Sequence, residues 1–522
     1  MYNQPTPDML ESNIPILVGV GQITDHPQNE EGRTPLELMV SSAQKAVSDA
    51  GAPGLVNAIT DVSACGLTVD ADLVKTPFKK AYDNVPKLVA NQLGIEASRY
   101  YYAAPGGNTP QYLVNYHARR IIEGHDETVL LVAGEALHNM FQRFTPWYKL
   151  FTPWKGWRGK TGSTPLSIGD NRPGSTPHED QYKLTLPSKV YPLFENALQA
   201  HYGRSASDHH QHIGKLFGKI NKIASNNPYA WFQTPRSSEE LITQTDKNRM
   251  IAYPYTKYLN SIIKVNQSAS VILTNVAQAR KLGISSDKWV YLSGFADQND
   301  HWYVSQRENY HSSPAIRSAG KRALQMAHKS IDDLEFFDLY SCFPSAVQIA
   351  CDELSIAHDD TRDLSLTGGL PYFGGPGNGY AMHAIVEMVN RLRESNSNSS
   401  GLVNANGWYL TKHSFGVYSN SAPTSYDLNL AGQRDLSKEK VPTFNENPKG
   451  KAKIETFTVI YGKGNVPKST VIIGRDSDNK RFISQGPTDA ESVAMMQGEQ
   501  SIVGRQGHVF KARKKNRFEF ES

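Results

Sequence analysis

Short apolar runs alternate with amphipathic stretches along most of this chain. Ile16-Leu-Val-Gly-Val-Gly predicts a buried strand, and Pro15 is tolerated at its start. Leu36, Met39, Val40, Ala43, Val47 and Ala50 then recur at helical spacing. Thr34-Pro35-Leu36-Glu37 is a capping box with proline at the first helical position, and Gly51 stops the helix. Ile59 to Leu67 predicts a second strand, and Thr128-Val-Leu-Leu-Val-Ala-Gly-Glu another. Strands alternating with helices imply a parallel sheet covered on both faces.

The pattern breaks from about Met140 to Phe232, a segment rich in Trp, Tyr, Pro, Lys and Gly. A stretch this long inside a compact domain has a task or a small fold of its own. Ser207-Asp-His-His-Gln-His opens a helix carrying Ile213, Leu216, Phe217, Ile220 and Ile223. His209 and His212 could share a face as metal ligands, but no further acidic or cysteine partner is evident nearby, so no metal is expected.

Regular structure resumes at Met250. Strands are expected over Ser268 to Thr274, Trp289 to Phe295 and Leu334 to Tyr340, and helices over Ala315 to Ile331 and Ala381 to Leu392. Leu366 to Asn378 is glycine-rich, Ser395 to Ser400 reads as a polar loop, and Gly407 to Val417 as a closing strand pair. A βα-rich half thus precedes the insert, and a similar half follows it. Beyond Gly432 the character changes: Ile454 to Tyr461 and Thr470 to Gly474 read as strands, with hairpin signals at Gly462-Lys-Gly-Asn and Asp476-Ser-Asp-Asn. Val503 to Phe510 and Phe518 to Phe520 add further strands, so a small β-barrel or curled sheet is expected, an OB-like module being one form. The boundaries read from the chain are 1–139, 140–249, 250–431 and 432–522.

At 522 residues the chain needs more than one core, and its formal charge of +4 does not imply a nucleic-acid partner. The basic run Lys511, Arg513, Lys514, Lys515, Arg517 reads as a solvated edge rather than a nucleic-acid face. The three cysteines, Cys65, Cys342 and Cys351, are sparse and odd in number, which points to a reducing compartment. No apolar run is long enough to span a bilayer, and residues 1–13 lack the basic and apolar regions of a signal peptide. A cytoplasmic protein is expected.

The chemistry is expected at Tyr100 to Gly124, which reads as a strand, a glycine elbow and a helix. Gly106 and Gly107 permit a sharp turn, Thr109 is a suitable N-cap with Pro110 at the first helical position, and Gly124 ends the helix. A nucleophile belongs on such an elbow, where backbone donors and the helix dipole favour negative charge. The residue there is Asn108, whose amide is not nucleophilic.

This stretch resembles the thiolase superfamily, most closely its sterol-carrier-protein-2-like branch. The resemblance runs from about Ile14 to about Ser419 and extends to cysteine-less thiolase-like proteins. It implies a duplicated five-layer αβαβα fold with an inserted loop domain, to which the small all-β C-terminal domain is an addition. In the family the elbow carries the acyl-accepting cysteine, an alanine follows ten residues later, and a glycine ends the helix. Ala118 and Gly124 place Asn108 on the cysteine's position. Asp338-Leu-Tyr-Ser-Cys-Phe resembles the family's His-Asp-x-Phe motif. Tyr340 falls on the histidine that forms an oxyanion hole, and a tyrosine hydroxyl can donate there or act as an acid. Gly368 to Gly379 looks like the Gly-Gly-…-Gly-His-Pro segment, with Gly374 and Pro376 kept and Gly375 in place of the catalytic histidine. The family's last motif, Cys-x-Gly, falls in Asn406-Gly-Trp-Tyr-Leu-Thr-Lys-His-Ser-Phe-Gly, where Lys412 and His413 are the polar groups and His413 could serve as acid or base.

The resemblance implies coenzyme A as substrate or ligand, no covalently bound cofactor, and a homodimer as the oligomer. Gly107, Asn108, Gly374, Gly375 and Pro376 are the expected substrate contacts, with Tyr340 and His413 as catalytic candidates. The insert is expected to cover the site. Trp147, Trp154 and Trp157 would offer faces for adenine, and Lys149, Lys155, Arg158 and Lys160 would face phosphates. The leading reading is a thiolase-like protein of acyltransferase class that handles acyl-CoA without the usual cysteine. A retro-aldol carbon–carbon lyase with tyrosines as acid and base, and a non-catalytic acyl-CoA-binding scaffold, are the alternatives.

Overall fold

The computed structural model describes residues 12–26, 32–71, 78–144, 155–433 and 441–521. Of the insert's expected ligand contacts, Trp147, Lys149 and Trp154 lie outside these residues.

The fold is mixed α/β. Strands β1 (Pro15–Thr24), β2 (Asp61–Cys65), β3 (Arg99–Ala103), β4 (Thr128–Ala136) and β5 (Leu166–Ile168) precede β6 (Met250–Ala252) and β7 (Tyr255–Thr256). Then come β8 (Asn266–Asn275), β9 (Val290–Asn299), β10 (Phe336–Asp338), β11 (Ser400–Gly407) and β12 (Lys412–Ser419). Ten of these form one sheet in the order β10-β11-β12-β9-β1-β8-β4-β2-β3-β5. Its two halves share a plan: β8 runs antiparallel between β4 and β1, as β12 does between β11 and β9. They meet where β1 pairs with β9 at Ile16–Tyr291 and Leu17–Val290. The helices Thr109–Ile122 and Tyr380–Glu394 pack on each other and touch strands of both halves, forming a shared central layer. Both are almost wholly buried, which their largely apolar or hydrogen-bonded surfaces allow.

Local chemistry explains the element ends. Thr34 caps Pro35–Ala50 with both bonds of the capping box, and Gly51 closes that helix in the left-handed conformation, where a Cβ would be strained. The closing strand pair is longer than the sequence pattern suggests: β11 begins at Ser400, inside the expected polar loop, and the turn falls at 408–411. The expected strand Leu334–Tyr340 shortens to Phe336–Asp338, because Leu339 and Tyr340 turn away toward the elbow.

The insert contributes the helices Pro187–His201 and Ala206–Asn226; the first is not among the predicted elements, because Pro192 interrupts its pattern. His209 and His212 of the expected helix take different partners. His209 Nε2 lies 2.6 Å from Glu195 Oε1 and His212 Nε2 lies 2.9 Å from His358 Nδ1. Among the described residues no cluster of three or more metal-ligating side chains occurs, and no helix is long and apolar enough to cross a membrane.

The C-terminal strands β13 (Gly450–Tyr461), β14 (Pro467–Asp476), β15 (Arg481–Ser484), β16 (Gln506–Ala512) and β17 (Lys515–Phe520) lie in the order β15-β14-β13-β16-β17. A parallel bridge between Gln485 and Arg517 brings β17 back to the end of β15 and closes a five-stranded barrel. A helix, Ala490–Met496, stands between its third and fourth strands, so the arrangement is OB-like. The barrel is tied to the insert: Asn196 Nδ2 donates to Phe457 O at 2.8 Å and Thr456 Oγ1 to Leu193 O at 2.5 Å.

Candidate active site

The elbow folds as expected in outline. Strand β3 ends at Ala103, the chain turns through Pro105 to Gly107, and the helix starts at Thr109. The cap differs from the expectation. Asn108, not Thr109, is the N-cap residue, and its side chain makes no capping bond. Thr109 Oγ1 instead donates to Ala104 O at 2.8 Å, bracing the turn. Asn108 Nδ2 reaches across to Ser414 Oγ on β12 at 3.3 Å, and its Oδ1 has no hydrogen-bond partner among the described residues. A buried acceptor left unpaired costs about 1–3 kcal/mol, so a ligand donor arriving there has something to gain.

Gly107 meets two other landmarks. A Cβ at this position would stand on the Tyr340 hydroxyl and 2.5 Å from the Asn406 carbonyl oxygen. The elbow, the loop after β10 and the end of β11 therefore converge on a glycine with no room for a side chain. Tyr340 is 6 % exposed, and burial holds its phenol far above the ordinary range, so it stays protonated and keeps a hydrogen to donate. It packs edge-on against Tyr380, at the start of the helix after the glycine-rich loop.

In the last motif, the residue at this junction is Asn406 rather than His413. Asn406 Nδ2 donates to Tyr191 Oη at 2.8 Å, and Tyr191, from the insert, stacks on Phe343 with 4.5 Å between centroids. The insert thus does reach this site, through Tyr191. Asn406 was legible only as the first residue of a stretch without cysteine.

His413 and Lys412 instead line a cavity of about 420 Å³ on the elbow, together with Asn108, Thr109, Tyr112, Asp170, Arg172, Asp297 and Asn299. Burial pushes His413 down to about 4, so its imidazole is neutral at pH 7. Burial pushes Asp297, at the end of β9, up to about 7 against the bonds from Ser414 and Asn115. Ser414 links Asn108 to this carboxyl, so the elbow residue and a group that exchanges protons near neutrality share one buried network. Asp297 carried no sequence signal, since a lone aspartate on a strand is indistinguishable from an exposed one until the strands are paired.

The chain's cysteines are Cys65, Cys342 and Cys351. All three are buried, and burial raises each thiol, Cys342 to about 12. Gly374 and Gly375 pack inward. A Cβ on Gly374 would meet Gln267 Oε1 at 2.5 Å, one on Gly375 would meet Ser261 Oγ at 2.6 Å, and the Gly375 N–H is spent on Ile262 O. The two glycines seat the 261–267 segment, and Pro376 turns the loop by accepting from Gly379 N.

Lys155 and Arg158 are exposed, on a loop whose Gly156 and Gly159 pack on Thr34 and Leu88, and neither lines the elbow cavity. Trp157 is 3 % exposed, packed beside Phe78 in the core, and so presents no face for adenine. A different basic surface stands out. Lys247, Arg249, Lys257 and Lys264 surround Tyr258 in an open groove of about 620 Å³ with Asp246 as its acid, and the Arg236 guanidinium lies 3.9 Å from the Tyr258 ring centre. The segment from Tyr258 to Lys264 joins this groove to the glycine-rich loop, where Ile262 bonds Leu370 and Gly375.

A duplicated sheet with a shared buried helix layer, and an elbow at which three loops converge, define a protein of the thiolase fold. Residues 432–514 match the family described as the thiolase-like protein type 1 additional C-terminal domain. The structure of a monomeric SCP2-thiolase like protein type 1 from Mycobacterium smegmatis is 32 % identical, with 98 % of this chain and 100 % of that chain covered and a TM-score of 0.81. The chain belongs to the family of SCP2-thiolase-like proteins of type 1. The fold is shared more widely. An Ltp2-ChsH2(DUF35) aldolase is 16 % identical over 78 % of this chain and 98 % of that one, with a TM-score of 0.57. The Acat5 thiolase from Ascaris suum, solved in complex with coenzyme A, is 13 % identical over 78 % and 99 %, with a TM-score of 0.52. No curated protein matches the sequence.

Proposed function

We propose that this protein binds an acyl-CoA thioester and acts on its acyl part at the elbow without forming an acyl-cysteine. The observation that carries the reading is the basic groove of 246–264. Its four lysine and arginine side chains against one aspartate suit the phosphates of coenzyme A, and Tyr258 under Arg236 suits an adenine edge. The chain leads from there to the glycine-rich loop, to which Ile262 is bonded at Leu370 and Gly375. These residues take the role expected of Lys155 and Arg158. Coenzyme A titrated into the wild type should bind more weakly as salt rises, because phosphate contacts are screened. Arg249→Ala with Lys257→Ala should weaken binding at low salt at least tenfold, with an unchanged melting transition. Equal affinities at low salt would remove the groove from the site.

Among chemistries, retro-aldol cleavage of a β-hydroxyacyl thioester fits better than acyl exchange. Exchange through the enzyme needs a nucleophile that the elbow lacks, whereas cleavage needs a held proton, which Tyr340 supplies at Gly107. The β-hydroxyl gives up its proton as its oxygen becomes the carbonyl of one product. The electron pair of the breaking carbon–carbon bond passes to the thioester carbonyl, where a donor hydroxyl stabilises the charge, and a proton taken up at the enolate carbon gives the other product. Tyr340→Phe should lower the cleavage rate about a hundredfold, the scale of one lost oxyanion donor. Mass spectrometry of a panel of acyl-CoA substrates reads both the products and the protein, whose mass should stay unchanged. Full activity in the variant would remove Tyr340 from the reaction.

Strand β3 is paired by β5 at Tyr101–Leu166, Tyr102–Ser167 and Ala103–Ile168, so a second copy adding strands at this end of the sheet would meet the short β5 rather than β3.

A further inference from the structure

We infer that Lys412 is an imine-forming amine, condensing through Nζ with the carbonyl of an aldehyde or ketone held in the cavity beside Asn108. Lys412 opens β12 and is only 4 % exposed, yet its side chain lines that cavity. Its Nζ lies at the elbow itself: a Cβ on Gly106 would stand 2.6 Å from it, and it donates to Pro105 O at 2.7 Å. The indole rings of Trp302 and Trp408 flank it at 6.0 and 5.8 Å. A buried ammonium is normally held by a carboxylate, and the one whose charge acts on Lys412, Asp170, is committed elsewhere. Asp170 gives Lys412 only its backbone oxygen, at 3.4 Å, while its carboxylate is gripped by Arg172 at 2.6 Å.

Burial without a dedicated counter-ion favours the free amine, and this lysine is pushed down to about 8. The free amine is the form that attacks carbonyls. The other groups facing the cavity suit the step. Tyr112, raised by burial, and His413 are both uncharged near pH 7, Arg172 sits at the rim on the Trp302 ring, and Asp297 exchanges protons near neutrality.

The step balances with water as the only by-product. The Nζ lone pair forms a bond to the carbonyl carbon, and the oxygen leaves as water with one proton from the amine and one from the Asp297 carboxyl. The iminium that results can accept the electron pair of a neighbouring carbon–carbon bond. A β-hydroxy ketone would then split, its hydroxyl proton passing to the Asp297 carboxylate, into an aldehyde or ketone and an enamine. Protonation and hydration of the enamine release the second carbonyl product and restore the amine.

This inference goes beyond the coenzyme A reading and does not need it, so either can fail alone. The test is incubation of the full chain with diacetone alcohol, a β-hydroxy ketone, and sodium cyanoborohydride, followed by digestion and mass mapping. At pH 8 the free-amine fraction of Lys412 exceeds that of a lysine titrating at about 10.4 roughly a hundredfold. A reduced adduct should therefore appear on Lys412 well before the exposed Lys257 or Lys264, with a rate half-maximal near pH 8. Lys412→Arg should lose the adduct and keep its melting transition. Labelling of Lys412 no faster than the exposed lysines, or none at all, would overturn the assignment, and this comparison within the wild type decides even if the variant does not fold.

Discussion

Gly107→Ala loses about 3 kcal/mol of stability, the upper end of the cost of overpacking, and unfolds at lower urea than the wild type. The size follows from what the methyl group meets. One neighbour is the Tyr340 hydroxyl, the other the Asn406 backbone carbonyl at 2.5 Å. A side chain can swing aside, but Asn406 is fixed by the β11–β12 ladder, in which it pairs with His413. The double variant Gly107→Ala, Tyr340→Phe should therefore recover only part of the loss. Amide hydrogen exchange should rise in 104–122 first, because the elbow must move to make room. A wild-type urea midpoint for Gly107→Ala would show that the three loops do not meet as described.

Arg481→Met loosens the C-terminal barrel from the rest of the chain, at a cost of about 3–5 kcal/mol. The Arg481 guanidinium is fully buried and holds Glu455 through two bonds of 2.7 Å. It also donates to the carbonyls of Ser305, at 3.2 Å, of Arg307, and of Glu308, at 3.1 Å. Removing it strands these acceptors and leaves Glu455 with Arg475 alone. The effect travels toward the elbow, because Arg307 donates to Tyr409 O and Thr411 Oγ1 in the β11–β12 turn. Acid gives a second readout. Burial raises the Glu455 carboxyl, but its bonds to Arg481 and Arg475 outweigh that and hold it below the ordinary value. A depressed carboxyl stabilises the fold fully above its unfolded value of about 4.3, and that contribution is lost as pH falls through the folded value. Wild-type barrel docking should thus weaken below about pH 4, and Arg481→Met should show a shallower acid dependence. Hydrogen exchange in 450–520 measures both. Unchanged protection in the variant at pH 7 would mean that other contacts hold the barrel in place.

Much of this protein was legible from local rules. The capping box at Thr34, the glycine elbow before Thr109, the strand runs at β1, β4 and β8 and the hairpin between β13 and β14 each depend on residues close in sequence. Hydrophobic period and turn chemistry act over a few residues, so they survive reading without a structure. The missing nucleophile was legible for the same reason, since Asn108 sits within one strand-turn-helix unit. What the chain order hides is which side chains of separate strands end up buried together. Asp297 and Lys412 become an acid and an amine of unusual basicity because pairing of β9 with β12 takes both out of water. Asn406 meets Gly107 because strand pairing brings its backbone carbonyl, at the end of β11, onto the elbow, while its cross-strand partner His413 lines the cavity beside Asn108. Trp157 and the lysines near it looked like a ligand surface by composition, whereas packing on Phe78 makes the tryptophan core. The basic groove gathers Arg236, Arg249 and Lys264 from separated stretches, a convergence that only the folded backbone produces.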